Sequence, residues 1–281
     1  MKIVKMHGSG NDFVIVDNRT GAFPAERLPA LARLLCAFHT GVGADGLMVV
    51  VPAKNGGDYG MLFYNADGSL GEMCGNGARC ICRYGHDRGL AGETQRVETT
   101  AGPVVGTRVD ACRYRVRLND PSVIDLHRRA EAEGAVWDCA YVELGDPGIP
   151  HAVLRLDNWD AWNTDELRSL ARALRFSPAF PRGANVSFVK AISPDKLKAV
   201  TYERGVEDFT LACGTGCGSI TAALTLHGLV SGREVAVHMP GGALSVSLTN
   251  DTGHIHDIFL SGPTRLVFEG EISEELLAEL P

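Results

Sequence analysis

The order of apolar and polar positions divides the chain into short elements, most of them strands. Residues 3–5 and 13–17 read as two strands around a turn at Gly8-Ser9-Gly10-Asn11-Asp12. Leu28, Leu31, Leu34, Leu35 and Phe38 fall at helical spacing until Gly41 and Gly43 break the pattern. Strands are expected at 47–51 and 59–64, a helix over 76–84 that buries Ala78, Ile81 and Cys82, and strands at 95–99, 104–109 and 113–118. The second half follows the same grammar, with strands near 140–144, 151–156, 184–190 and 196–202. Its first helix opens at Asn163 with Glu166 three residues on, a capping box, and presents Leu167, Leu170, Ala171 and Leu174. Its second helix runs to about Leu229, and three or four short strands follow. Strands outnumber singly scattered helices, so the expected class is α+β rather than a doubly wound sheet. The polar, Pro-containing stretch at 119–123 is the expected domain boundary.

At 281 residues and 45% hydrophobic, the chain can bury one large core or two moderate ones. The net charge of −7, from 27 basic and 34 acidic residues with no basic block, argues against nucleic acid as a partner. The first residues carry no apolar leader and no segment has the length of a membrane span, so a soluble cytoplasmic protein without a membrane partner is expected. The eight cysteines are 36, 74, 80, 82, 112, 139, 213 and 217. A chain this apolar needs no disulfide staples. Cys36, Cys112 and Cys139 read as small buried hydrophobes. Cys80, Cys82, Cys213 and Cys217 lack zinc-site spacing and a histidine cluster, so no metal is expected.

One device occurs twice. Tyr64-Asn65 is followed nine positions later (65 to 74) by Cys74-Gly75-Asn76-Gly77. Tyr202-Glu203 is followed ten positions later (203 to 213) by Cys213-Gly214-Thr215-Gly216. Each puts a cysteine ahead of a Gly-rich helix start, where unpaired N–H groups attract anions and lower a thiol pKa. A carboxylate held by those N–H groups would offer its α-carbon to a thiolate base on one face and a thiol acid on the other. The developing carbanion charge would be stabilised by the same donors. The product is inverted at that carbon, with no cofactor required.

The residues Met6-His7-Gly8-x-Gly10-Asn11-Asp12-Phe13, Asn65-Ala66-Asp67-Gly68-Ser69, Cys74 to Cys80, Tyr202-Glu203-Arg204-Gly205 and Ala212 to Gly216 together resemble the diaminopimelate epimerase family over almost the whole chain. The resemblance implies two pseudo-symmetric domains, each a mixed sheet or barrel around a central helix, with the active site in the cleft between them. It implies domains at 1–120, joined by a return segment at about 266–281, and at 121–265. It implies no pyridoxal phosphate, no metal and a homodimer acting on a small amino-acid substrate. Residue by residue, Cys74 and Cys213 match the acid–base thiols, and Glu203 and His151 match residues that support them. Gly75, Asn76, Gly214 and Thr215 match the helix starts that hold the carboxylate. Asn11, Asn65, Asn185 and Arg204 match side chains that line the substrate pocket. The chain departs from the family at Ile149, where an Asn often precedes Pro-His, at Gly46, where some members carry an amide, and at Phe209-Thr210, where Glu-Thr is common. The residues leave other readings open: a racemase of another amino acid such as histidine, a phenazine-type isomerase without paired thiols, or a non-catalytic amino-acid-binding protein. Opposed thiols also imply reversible inactivation by oxidation.

Overall fold

The computed structural model describes residues 1–71 and 74–280, and the chain divides into two compact units. The first comprises residues 1–116 with 262–281, the second residues 117–261.

In the first unit, β1 (Lys2–Gly8) and β2 (Asn11–Asp17) form a hairpin, and α1 (Leu28–Cys36) leads to β3 (Gly46–Val51) beside β2. Then β4 (Tyr59–Asn65), α2 (Gly75–Asp87), β5 (Thr94–Thr99), β6 (Gly102–Arg108) and β7 (Arg113–Arg117) follow. Successive pairings from β1 to β7 run antiparallel, parallel, antiparallel, parallel, antiparallel, antiparallel.

The second unit opens with β8 (Pro121–Ala132) and continues through β9 (Ala135–Gly145), β10 (Gly148–Arg155), α3 (Thr164–Arg175), β11 (Asn185–Ser193) and β12 (Lys196–Glu203). After the two-residue β13 (Asp208–Phe209) come α4 (Gly214–Leu226), β14 (Val235–Met239), β15 (Gly242–Asp251) and β16 (His254–Pro263). Omitting β13, the pairings from β9 to β16 repeat the series of the first unit. The outer partner of β9 is β8, and the outer partner of β1 is β17 (Arg265–Glu271). A short α5 (Glu274–Leu277) follows.

The two helices of each unit have different tasks. The amphipathic α1 lays Leu28, Leu31 and Leu35 on Val14, Val16, Leu47 and Val49, and α3 packs Leu167, Leu170 and Leu174 on Leu154, Val186 and Phe188. By contrast, α2 and α4 are buried along nearly their whole length, as befits helices surrounded by strands. Each spans 13 residues, and each ends alike. Gly89 and Gly228 take positive φ (65° and 70°). Their N–H groups donate to His86 and Thr225, and the next residues, Leu90 and Leu229, donate to Gly85 and Leu224. This is the Schellman arrangement, which only glycine enters without strain. It stops α4 at Leu226, three residues before the end that periodicity predicts.

Other expectations are met or corrected. Asn163 caps α3 through Asp165 and Glu166, and Glu166 returns to the Asn163 N–H, as the capping box requires. Phe38, expected on a helix face, lies beyond α1 and is exposed. There the chain doubles back, and the N–H groups of Val42 and Gly43 occupy the Leu35 carbonyl. Cys36 and Cys139 are buried, but Cys112 sits in a turn and is only half-buried. The long strand β8 has no counterpart in the periodicity, because only the small Ala130 and Ala132 are buried along it and the rest of its length beside β9 is polar, half-buried or exposed. The turn between them places both Glu133 and Gly134 at positive φ. Among the described residues, no helix is long and apolar enough to cross a membrane.

Candidate active site

In the first unit, Cys74 is the N-cap of α2, in extended backbone (φ −102°, ψ 131°). Ala78 N–H makes the first bond back to the Cys74 carbonyl, so the N–H groups of Gly75 and Asn76 precede the helical ladder. The Cys74 Sγ lies 3.4 Å from Asn11 Oδ1. Asn11 Nδ2 donates to Asp45 Oδ2 at 2.5 Å, and that oxygen also accepts the Asp12 N–H at 3.0 Å. Asn65 ends β4 and turns its amide to Ser69 Oγ at 2.9 Å, while the following Ala66 N–H reaches the Asp45 carbonyl. The start of α2 rests on the fully buried Arg79. Its guanidinium donates to the Gly75 carbonyl (3.2 Å), Asn76 Oδ1 (3.0 Å) and Ser9 Oγ (3.2 Å).

In the second unit, Cys213 is the N-cap of α4 (φ −117°, ψ 111°), and its Sγ accepts the Gly216 N–H at 3.3 Å. Thr215 Oγ1 is 3.6 Å from that sulfur and 3.0 Å from His151 Nε2. His151 and Asn185 are register partners on parallel β10 and β11. Asn185 Oδ1 accepts the Arg204 N–H at 2.7 Å, which turns Asn185 Nδ2 toward His151 Nε2 at 3.4 Å. Nε2 must therefore accept, leaving the proton on the buried Nδ1. Glu203, the last residue of β12, accepts from Thr210 Oγ1 at 2.6 Å. The Arg204 guanidinium reaches the Arg182 carbonyl at 3.0 Å.

The structure thus joins Asn11, Cys74, Gly75 and Asn76 in one half-site, with Asn65 beside it. It joins His151, Asn185, Arg204, Cys213, Gly214 and Thr215 in the other, with Glu203 close enough for its charge to act on Cys213. One expectation is reversed. The Cys213 thiol is not lowered by its helix end: burial, then the Glu203 charge, pushes it well above the usual thiol value, outweighing the Thr215 and Gly216 hydrogen bonds. Burial likewise holds His151 neutral, with its pKa lowered to about 3. Cys80 and Cys82, deep in α2, are pushed up to about 12 by burial and are inert packing groups.

The departures have physical readings. At Gly46, a Cβ would lie 2.4 Å from the Phe63 ring, so that aromatic fills the space a side chain would need. Phe209 stacks edge-on with Tyr202 and Phe188 on the α3 side of the sheet, 5.9 and 6.4 Å between centroids. It is a packing residue, and the neighbouring Thr210 is the one that meets Glu203. Ile149 is half-buried in the β9–β10 hairpin opposite Leu144. Two residues outside the candidate set, Asp45 and Arg79, hold the first half-site. Arg79 stands inside the Cys74–Cys80 motif, but a charged residue at a helix start reads as solvated until its burial is seen.

The fold is that of a class of racemases, epimerases and related isomerases. A probable proline racemase from Agrobacterium radiobacter K84 superposes with a TM-score of 0.71 at 16% identity, covering 97% of this chain and 90% of that one. A PhzF-family phenazine biosynthesis protein from Bacillus anthracis superposes with a TM-score of 0.73 at 14% identity, covering 97% and 99%. At these identities the likeness is one of fold alone. The sequence itself goes further: the diaminopimelate epimerase family profile matches residues 3–121 and 145–267. The diaminopimelate epimerase of Aquifex aeolicus is 39% identical over 287 aligned positions, covering 99% of each chain. That of Desulfitobacterium hafniense is 38% identical, covering 99% of this chain and 100% of its own. The chain belongs to the diaminopimelate epimerase family, and it is an isomerase.

Proposed function

We propose that the protein interconverts LL- and meso-diaminopimelate by a two-thiol proton transfer, without pyridoxal phosphate or metal, in the cytoplasm, for lysine and peptidoglycan precursor synthesis. The observation that carries this reading is the matched pair of buried helices, each 13 residues long and each N-capped by a cysteine. One sulfur, as thiolate, takes the α-proton, and the electron pair moves onto the substrate carboxylate. N–H groups of Gly75 and Asn76, or of Gly214 and Thr215, stabilise that charge. The other sulfur gives its S–H proton to the opposite face and is left as thiolate, so the reverse reaction exchanges the roles. The neutral resting thiol of Cys213 suits the acid role in the substrate-free enzyme. Asn65, Asn185 and Arg204 bind the rest of the substrate, with Glu203 and His151 supporting the thiols. For the homodimer, β17 offers the exposed Leu266, Val267 and Phe268.

The test is incorporation of deuterium from heavy water at the α-carbon, with product configuration determined. Cys74→Ser and Cys213→Ser should each lose about 10²–10⁴-fold in epimerisation, the range of general acid–base catalysis. Full turnover in either single variant would exclude the two-base mechanism. Exchange into histidine with none into diaminopimelate would exclude the substrate.

A further inference from the structure

We propose that Asp45 is a positioning residue which orients the Asn11 amide and thereby holds Cys74 in its thiol form. The inference rests on the reading of Cys74 as a reacting thiol. Asp45 and Asp12 lock each other: Asp45 Oδ2 accepts the Asp12 N–H at 3.0 Å, and Asp12 Oδ1 accepts the Asp45 N–H at 2.9 Å. Lys5 balances this pair at 2.9 Å from Asp12. The fixed Asp45 carboxylate then takes the Asn11 Nδ2 at 2.5 Å. An amide nitrogen can only donate and a carboxylate can only accept, so the Asn11 amide has one orientation. Its Oδ1 must face the other way, and there it meets Cys74 Sγ at 3.4 Å. An amide oxygen offers a sulfur only an acceptor, which suits S–H and opposes S⁻. Turned over, the same amide would present an N–H and favour the thiolate. Asp45 also ties in the neighbouring substrate-side segment, since its carbonyl accepts the Ala66 N–H.

Of the charged and titratable groups on these elements, Lys5 and Asp12 on β1 and β2 and Asp45 ahead of β3 form one linked cluster, while on α2 Arg79 holds the helix start and Cys80 lies close enough for its charge and that of Cys74 to interact. Lys5 is engaged with Asp12, and Arg79 with Gly75, Asn76 and Ser9. Asp45 acts on Cys74 through the Asn11 amide, whose orientation it sets.

The experiment is peptide-resolved alkylation of Cys74 by iodoacetamide across pH in the substrate-free full-length protein, reading the midpoint of the profile. Asp45→Ala removes both the charge and the acceptor. Asp45→Asn removes the same charge but keeps a carbonyl oxygen for Asn11. Orientation predicts that Asp45→Ala lowers the midpoint by about one pKa unit, about tenfold more thiolate at neutral pH, while Asp45→Asn stays near wild type. Equal shifts in the two variants would mean charge alone and overturn the proposal. In an Asn11→Ala background, Asp45→Ala should have no further effect, and an undiminished shift there also overturns it. Asn11→Ala by itself, which leaves the Asp45–Asp12 lock in place, should lower the midpoint, and an unchanged midpoint refutes the idea even if Asp45→Ala does not fold. The readout needs no substrate, so its failure is separable from failure of the epimerase reading, which the Cys→Ser exchange assay judges.

Discussion

Gly77 and Gly216 hold the same place in the two central helices, three residues after the N-cap cysteine, and alanine there should have opposite consequences. A Cβ at Gly216 would stand 3.1 Å from both Cys213 Cβ and Sγ, and 3.0 Å from Thr201 Oγ1. Thr201 is pinned by Ser187 at 2.9 Å in the buried interior, so the cysteine side chain must yield. Moving that sulfur by a few tenths of an ångström weakens the 3.3 Å bond from the Gly216 N–H, which steadies the thiolate. Hydrogen bonds to charged groups contribute about 1.5–3 kcal/mol, equivalent to roughly 10–150-fold in rate. Stability should change little, because overpacking of about 1–3 kcal/mol is opposed by about 1 kcal/mol of helix propensity. At Gly77 the new methyl meets the Met48 terminal methyl at 2.4 Å and the Phe13 ring only at 3.5 Å. A methionine end swings aside readily, so Gly77→Ala should keep activity within about threefold and stability at or above wild type. α-Deuterium exchange and thermal unfolding of both variants provide the comparison. Equal loss of exchange in the two, or none in Gly216→Ala, would refute the claim that the glycine at 216 exists to leave the sulfur its place.

The buried neutral His151 makes stability depend on pH. Its folded pKa of about 3 lies below the ordinary value of 6.5, so the unfolded chain binds a proton that the folded chain refuses. Its stabilising contribution is complete above pH 6.5 and is lost as pH falls toward 3, at about 1.4 kcal/mol per pH unit. Urea midpoints should fall less steeply below neutrality in His151→Leu, and identical slopes would contradict the buried neutral state. Arg79→Met removes the guanidinium bonds to the Gly75 carbonyl, Asn76 Oδ1 and Ser9 Oγ and should cost about 2–4 kcal/mol in urea unfolding, with Arg79→Lys only partly restoring it. Phe209→Glu, which puts an acid where the ring packs on Tyr202 and Phe188, should lower stability by about 1–3 kcal/mol and leave substrate preference unchanged. A change in preference measured across an amino-acid panel would place that residue at the substrate after all.

The features legible in the sequence were local ones. A cysteine followed by Gly-x-Gly announces a helix start, and Asn163 with Glu166 announces a cap, because the partners lie within four residues. The amphipathic faces of α1 and α3 are likewise written in their spacing. β8 was hidden because only Ala130 and Ala132 are buried along it, neither bulky enough to mark an apolar face, and its turn uses Glu133 where Asn would be expected. The raised Cys213 thiol was hidden for a different reason. The helix-end donors are visible in the sequence, whereas burial, which outweighs them, is a property of the packed unit. Asp45 and Arg79 escaped because their partners, Asn11 and Ser9, lie far away along the chain.

The Schellman stops and N-cap starts of α2 and α4 also separate what keeps each helix in place from what the first residue does. A helix start accepts Ser, Thr, Asp or Asn at its cap as readily as any residue, and the glycine stop is indifferent to that choice. Exchanging the capping sulfur for an alcohol therefore leaves both ends of the helix intact. In such a scaffold, the chemistry delivered at one helix end is free to be rewritten by a single codon, and each half can be rewritten independently of the other.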